Sequence, residues 1–160
     1  VAPIGRNFDE DRFNFALESD AIHLGGGNTF EFLYMLQVRE LLQPLRDFVN
    51  RGRILMGTSA GGIMMCNKIR IAGFADDNFL GLHDEELNSL GLVDFEVKPH
   101  WNYWKDIRPQ FQKYVKNTGE TLFCLEEGQS IWVTENSIKF YGGMPEKIGD
   151  GSYNWKMKVF

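Results

Sequence analysis

The sequence lacks most of the features that mark a nucleic-acid, membrane or metal-binding protein. Its 160 residues contain no run of Lys and Arg and carry a formal net charge of −5, which argues against nucleic acid and anionic membrane surfaces as partners. No stretch approaches the roughly 20 apolar residues that span a bilayer, and no secretory signal pattern is visible. His-Glu-x-x-His, Cys-x-x-Cys and paired histidines at metal spacing are also missing, so we expect neither a metal nor a cofactor. A small molecule or a peptide is the expected substrate.

Cysteine is scarce as well. Cys66 and Cys124 both lie in apolar segments, and two cysteines do not make a disulfide framework, so a reducing, cytoplasmic interior fits best. The chain is 43% hydrophobic and 24% charged, which places it in the range of one globular domain with a sizeable core. We therefore expect a single domain over residues 1–160.

Strand and helix patterns alternate along the chain, which predicts an α/β fold. The first clear strand runs into a turn of three glycines, and the helix after it begins at Thr29, with Asn28 as its capping residue and Glu31 at the reciprocal capping-box position. His23 falls inside that strand and is interpreted as a packed core residue. The predicted helices cover residues 9–18, 29–38, 41–51 and 106–115, and the predicted strands cover 1–4, 20–24, 53–56, 95–98, 122–125 and 155–159, with loops over 69–92 and a hairpin of 130–134 with 137–141.

The most informative segment runs from Arg53 to Cys66 and contains Gly57-Thr-Ser-Ala-Gly61 between an apolar strand and an apolar helix. A serine with a glycine two residues away on either side, in a strand-to-helix turn, is typical of a nucleophile elbow, because the turn is too crowded for larger side chains. Ser59 is therefore a candidate nucleophile, and the N–H of Ala60 can stabilise a developing oxyanion. The same pattern also fits a glycine-rich turn whose serine only caps a helix, so partner residues elsewhere must decide.

Three further sites directly follow predicted strands: the glycine run, His100 and Glu127. Because the carboxyl ends of parallel strands meet at one edge of a sheet, a single sheet can bring all three to Ser59. Histidine suits the role of base since its ordinary pKa lies near 7, and a carboxylate fixes its tautomer and stabilises the imidazolium. The backbone of Gly26 or Gly27 can supply a second oxyanion donor, because no side chain blocks the approach.

These segments resemble the blocks of the serine peptidases that comprise peptidase E, an aspartyl dipeptidase, and cyanophycinase. The matching blocks, in the family's order and within about residues 21–141, are Gly25-Gly-Gly-Asn-Thr-Phe30, Gly57-Thr-Ser-Ala-Gly61, Pro99-His100 and Leu125-Glu-Glu-Gly128. The resemblance implies a three-layer α/β fold with a mostly parallel sheet, similar to the class I glutamine amidotransferases and flavodoxin-like. The hairpin predicted above lies at the C-terminal end of this region.

The resemblance also implies a role for each candidate site residue. It makes Ser59 the nucleophile, His100 the base and Glu127 the carboxylate that orients the base, with Glu126 as the rival of Glu127. The other roles fall to Gly27 and Ala60 as the oxyanion hole and to Asn28 and Arg108 as substrate-binding residues. Arg108 is the nearest counterpart of the family arginine that grips an aspartyl side chain. Spacing leaves open whether Asp76 or Asp77 corresponds to a family aspartate near the active centre.

On this basis we expect a serine peptidase that hydrolyses short peptides, with N-terminal aspartyl dipeptides as the substrates that the resemblance suggests. The alternatives are an esterase or other amidase with the same triad, and a noncatalytic relative that binds peptides without turnover. The family carries further βα units before the block that corresponds to Val1. We therefore expect these residues to be a catalytic domain within a longer polypeptide, or a second subunit, as in a homodimer, to cover the open sheet edge.

Overall fold

The computed structural model describes residues 4–5 and 7–149, where helices and strands alternate in an α/β fold. The strands expected over residues 1–4 and 155–159 lie outside the described residues, except for Ile4. Within the described ranges, no helix is both long and apolar enough to cross a bilayer. The helices are α1 (Glu10–Leu17), α2 (Thr29–Val38), α3 (Leu42–Asn50), α4 (Ala60–Ile63) and α5 (Arg108–Thr118). The strands are β1 (Ala21–Leu24), β2 (Ile54–Gly57), β3 (Glu96–Lys98), β4 (Leu122–Cys124), β5 (Ser130–Val133), β6 (Ile138–Tyr141) and β7 (Glu146–Ile148).

The helix boundaries follow the capping and stop signals of the sequence. α2 covers the predicted residues, and the Asn28 side chain accepts a hydrogen bond from the N–H of Glu31 at 3.0 Å, which satisfies one of the free N–H groups of the first turn. α3 ends shortly before Gly52, whose φ of +78° favours a residue without a Cβ. α5 carries Pro109 in its first turn, where a missing N–H is tolerated. These local predictions are confirmed.

The described strands form three small sheets, whereas the sequence predicts one parallel sheet. β1 pairs with β2 and β3 pairs with β4, both in parallel, and α4 contacts β1, β2 and β3 and so joins the two pairs. β5 and β6 form the expected C-terminal hairpin. β7 adds to β4 in the antiparallel direction. The sequence pattern does not predict β7, because two of its three residues are charged and no apolar alternation is visible.

Two apolar clusters hold these elements together. The larger one joins α2, α3 and α5 and includes the fully buried Leu33, Leu45 and Phe111. The smaller one lies between the hairpin and β4, where the rings of Phe123 and Phe140 have their centroids 5.5 Å apart. The smaller cluster therefore fixes the hairpin beside the parallel strands, close to where β4 ends.

One face of the β1–β2 pair is open. Leu24 is buried, whereas Ile54 and Met56 are exposed on the opposite face. The interpretation of His23 as a core residue is wrong, because the two-residue period of a strand places it on the face opposite to Leu24. Its ring is exposed, and its Nε2 lies 3.0 Å from the Oγ1 of Thr58. An apolar sequence context alone did not show which face each residue occupies.

A carboxyl group is buried in β3. Glu96 is 3% exposed; its Oε1 accepts a hydrogen bond from the hydroxyl of Tyr114 at 2.8 Å, and its Oε2 has no partner among the described residues. Burial raises the pKa of Glu96 to about 7, although the hydrogen bond from Tyr114 partly opposes this. The folded protein therefore keeps a proton on Glu96 at mildly acidic pH, where the unfolded chain has lost it.

We expect Glu96 to make the protein less stable as the pH rises. A pKa that folding raises contributes stability that is fully present below the ordinary value of 4.5 and is lost as the pH passes through about 7. The loss is about 3 kcal/mol at most. Glu96→Gln keeps an acceptor for Tyr114 and removes the titration, so its melting temperature should change less between about pH 5 and about pH 8 than that of the wild type.

Thermal melts across this pH range check the prediction. Glu18→Gln is the matched control, because Glu18 is exposed and its replacement should leave the pH dependence of the wild type in place. The same slope of melting temperature against pH in the wild type and in Glu96→Gln would contradict the prediction.

Candidate active site

The turn between β2 and α4 holds Ser59 in a strained backbone conformation. Its φ of 54° and ψ of −121° lie in a region that non-glycine residues rarely occupy, at a cost of about 1–3 kcal/mol. The flanking glycines make the turn possible: a Cβ on Gly57 would lie 2.2 Å from the Gly61 carbonyl oxygen, and one on Gly61 would lie 2.1 Å from the Leu24 carbonyl oxygen. The Ser59 side chain makes no capping hydrogen bond to α4. The segment therefore has the geometry of an elbow and not that of a simple helix cap.

The glycine run after β1 lies beside this serine. A Cβ on Gly26 would be 3.4 Å from the Cβ and 3.6 Å from the Oγ of Ser59, which is van der Waals contact with the serine side chain. Gly27 has a φ of +138°, which favours glycine. In the described part of the chain, the N–H groups of Gly27 and Ala60 donate no hydrogen bond. Both are therefore available to an acceptor.

His100 connects Ser59 to a carboxylate. Its Nε2 lies 3.1 Å from the Ser59 Oγ, and its Nδ1 lies 2.5 Å from the Oε1 of Glu127. Because an ionised carboxylate can only accept, Nδ1 carries the proton and Nε2 can accept from the serine hydroxyl. His100 itself is in the left-handed region, with φ 59° and ψ 36°, a second strained non-glycine residue. This arrangement can take a proton from the Ser59 hydroxyl.

The neighbouring carboxylate, Glu126, has a different partner. Its Oε1 lies 2.5 Å from the Nζ of Lys105, and its N–H donates to the side-chain oxygen of Gln129 at 2.9 Å. Both carboxylates follow β4, yet in the described structure only that of Glu127 contacts His100. The ion pair with Lys105 therefore distinguishes Glu126 from Glu127, whose adjacent positions in the sequence do not distinguish them.

A cavity of about 1020 Å³ opens beside these residues. Ser59, His100 and Glu127 line it, and its walls come from the open face of the β1–β2 pair, from β3 and from the hairpin. The walls are largely apolar and include Met56 and Trp132. A concave, mostly apolar site with a few convergent polar groups is typical of a site for a small ligand.

Polar side chains hold the start of α2 against the segment that follows α4. Asn28 caps α2 with its side-chain oxygen and donates from its amide nitrogen to the Asp77 carbonyl oxygen at 2.9 Å. The Asp76 carboxylate accepts from the N–H of Thr29 at 2.8 Å and from the Thr29 hydroxyl. Both polar ends of Asn28 are therefore engaged in the fold, and Asn28 does not line the cavity of the described structure.

Arg108 also points to a partner outside the cavity. Its guanidinium donates to the carboxylate of Glu146 on β7, which also accepts from the indole N–H of Trp101 at 2.8 Å. Burial works against ionisation of Glu146, but these two hydrogen bonds and the positive charges of Arg108 and Lys105 together outweigh it and lower its pKa. Arg108 is absent from the described lining of the cavity. The structure does not bring it to Ser59, because β7, which the sequence pattern does not predict, places Glu146 beside it.

Neither cysteine is a second candidate nucleophile. Cys66 and Cys124 are free and buried. Burial raises the pKa of the Cys124 thiol to about 12 and raises that of Cys66 as well, whereas the thiolate is the reactive form. Over the described ranges, no three His, Cys, Asp or Glu side chains come together to hold a metal ion.

A match to a protein-family model shows to which family the chain belongs. The model of peptidase family S51 matches residues 10–141, a range that includes the glycine run, the elbow, His100 and Glu127. The chain belongs to peptidase family S51. The S51 region also includes the hairpin that walls the cavity, so the family match and the site described above cover the same part of the molecule.

The S51 chain is similar to curated proteins named peptidase E. It is 26% identical to one from Shewanella denitrificans over 141 residues, which cover 83% of the chain and 58% of the relative. It is 27% identical to one from Nostoc sp. over 152 residues, which cover 87% and 61%. The solved structure of a candidate peptidase E from Listeria monocytogenes shares the fold, with a TM-score of 0.68 at 23% identity over 82% of this chain and 64% of that one. The chain thus spans about three fifths of the length of these curated relatives.

Proposed function

We propose that this chain carries the active site of a serine peptidase that hydrolyses short peptides through an acyl-enzyme on Ser59. The hydrogen-bonded series of Ser59, His100 and Glu127 supports this most directly, because serine is a weak nucleophile until a base removes its proton. The strained elbow and the two available N–H groups supply the other parts that acyl transfer requires. The names of the curated relatives support a peptide as substrate.

In the proposed reaction, His100 takes the hydroxyl proton of Ser59 as the Oγ attacks the scissile carbonyl carbon. The N–H groups of Gly27 and Ala60 donate to the oxyanion that forms, each contributing about 3 kcal/mol. His100 then gives the proton to the leaving amine, the C–N bond breaks, and an ester remains on Ser59. Water attacks this ester with His100 as base, which releases the acid and restores the hydroxyl. Glu127 holds the tautomer of His100 and stabilises the imidazolium.

N-terminal aspartyl dipeptides remain the proposed substrates within the wider class of short peptides. Recognition of their carboxylate by Arg108 requires this side chain to leave Glu146, to which it is bound. A carboxylate-binding group is therefore expected among the residues that line the cavity.

We also propose the finer fold class that the family resemblance implies. In it, the strands belong to a three-layer, class I glutamine amidotransferase-like arrangement of the flavodoxin-like kind. The two parallel strand pairs, with the candidate site at their carboxyl ends, support this proposal.

Labelling with a fluorophosphonate probe tests the proposed function, because only an activated serine reacts quickly. We expect rapid labelling of the wild type, with the adduct on the peptide that contains Gly57-Thr-Ser-Ala-Gly61. A parallel panel of dipeptides and simple esters separates a peptidase from an esterase that uses the same residues. Absence of both labelling and hydrolysis would favour a noncatalytic, peptide-binding protein.

A further inference from the structure

We propose that His23, positioned by Thr58, is a specificity-determining residue that binds a carboxylate of the peptide substrate. This inference rests on the proposed function, because it identifies the group of the peptide substrate that the same cavity recognises. It assigns a role to a histidine whose apolar sequence context suggests core packing, and which the structure instead exposes in the cavity beside the elbow.

The strand register places His23 beside Thr58, the residue that precedes the candidate nucleophile. In the parallel pair of β1 and β2, His23 lies opposite Met56, and the N–H of Thr58 donates to the Leu24 carbonyl oxygen at 3.0 Å. The residue after Thr58 is Ser59. His23 and Ser59 line the same cavity, and the His23 ring contacts the side chain of Thr58, the residue before Ser59.

Thr58 holds the imidazole by one nitrogen and leaves the other available. The Nε2 of His23 lies 3.0 Å from the Thr58 Oγ1. A hydroxyl can both donate and accept, so this contact is compatible with the neutral and the protonated ring. The Nδ1 of His23 makes no hydrogen bond within the described part of the chain. It can therefore donate to a ligand in the cavity.

The charges around the cavity single out His23. The described lining side chains that can carry positive charge are His23, Arg53 and His100. Arg53 pairs with Asp20 at the opposite end of the β1–β2 pair, and His100 pairs with Glu127. His23 is held only by a neutral hydroxyl, so a carboxylate would give it a charge-assisted hydrogen bond that the protein itself does not supply.

The size of a dipeptide fits this position. One extended residue spans at most about 3.6 Å, and His23 contacts the residue adjacent to Ser59. A dipeptide can present a carboxylate one residue from its scissile bond in two ways: as an aspartyl side chain on the acyl side, or as the C-terminal carboxylate on the leaving side. Both sources present the same chemistry to an imidazolium.

Four substrates distinguish the two sources: Asp-Leu, Asn-Leu and the C-terminal amides of both. We expect His23→Leu to reduce the preference for the carboxylate form, measured as a ratio of kcat/KM values, by about 10- to 100-fold, chiefly through KM, as the loss of a hydrogen bond to a charged group predicts. A loss confined to Asp over Asn identifies the side chain, and a loss confined to acid over amide identifies the C-terminus. His23→Gln, which keeps a donor without the charge, should retain part of the preference.

Arg108→Ala is the comparison variant, because Arg108 is the other candidate for a carboxylate. A loss of preference in Arg108→Ala but not in His23→Leu would overturn the inference. It would also be overturned if His23→Leu kept both preferences while the protein still hydrolysed peptides, an outcome that leaves the proposed function intact. Wild-type protein that neither hydrolyses any of the four substrates nor reacts with a fluorophosphonate would overturn the proposed function and the inference together. If His23→Leu does not fold, as judged by circular dichroism, His23→Gln decides by the same ratios.

Discussion

Ser59→Ala is expected to lower the turnover of short peptides by about 10⁴-fold or more. The substitution removes the Oγ that His100 approaches at 3.1 Å, so no acyl-enzyme can form and only the oxyanion donors and the binding cavity remain. The fold should survive, because serine and alanine meet the same backbone strain at a φ of 54° and the Ser59 side chain makes no capping bond to α4. Steady-state kinetics with purified protein, alongside circular dichroism, measure the effect.

Ser19→Ala provides the matched control for this substitution. The Ser19 hydroxyl donates to the Ala16 carbonyl oxygen at 2.6 Å at the end of α1, and Ser19 does not line the described cavity. Its loss should cost some stability and leave kcat/KM within a few fold of the wild type. Turnover by Ser59→Ala at the level of Ser19→Ala would rule out Ser59 as the nucleophile.

Glu127→Gln is expected to lower kcat by up to about 10⁴-fold. An amide at this position can present its NH₂ group to the Nδ1 of His100, which favours the tautomer with its proton on Nε2, and that tautomer cannot accept from the Ser59 hydroxyl. The imidazolium that forms during the reaction would also lose its carboxylate. Because the side chain of Glu127 is 62% exposed, water can replace part of this support, so the effect should be no larger than that of Ser59→Ala.

Glu126→Gln is the matched control, since it makes the same change one residue away. It removes the ion pair with Lys105, whose two side chains are 52% and 43% exposed, and such pairs contribute little. We expect a change in kcat of a few fold at most. Equal losses in the two variants, or a larger loss in Glu126→Gln, would show that Glu127 does not orient the base.

Most of the regular structure could be predicted from local sequence. The cap at Asn28, the stop at Gly52 and the paired apolar runs of the hairpin act through residues a few positions apart, and the structure places the corresponding elements within about two residues of the prediction. Two short 3₁₀ helices, Arg70–Phe74 and Asp84–Leu87, lie where the sequence predicts loops, and β7 is a further exception. It has three residues, and its pairing with β4 comes from the tertiary arrangement and not from an apolar period of its own.

In the candidate site, too, some features could be predicted from local sequence and others could not. Strand-end positions predict that Ser59, His100 and Glu127 can meet, and the structure brings them into one hydrogen-bonded series. Local sequence does not show which carboxylate Arg108 contacts. Its partner, Glu146, comes from a strand 38 residues later in the chain. The face that His23 occupies depends on which alternate residues of β1 point toward the core. A strand of four residues is too short for its sequence to show this.

Local sequence establishes the elbow, because Gly57 and Gly61 are required where a Cβ would meet backbone oxygens at 2.2 Å and 2.1 Å. It also determined the alternation of strands and helices that puts polar residues at strand ends. The contact of Glu127, which the family resemblance favours, with His100, the pairing of Glu126 with Lys105 and the exposure of His23 in the cavity depend on the three-dimensional arrangement of the chain. Turns and caps are governed by sterics and hydrogen bonds within a few residues, whereas ion pairs and exposed faces depend on groups brought together from distant parts of the chain.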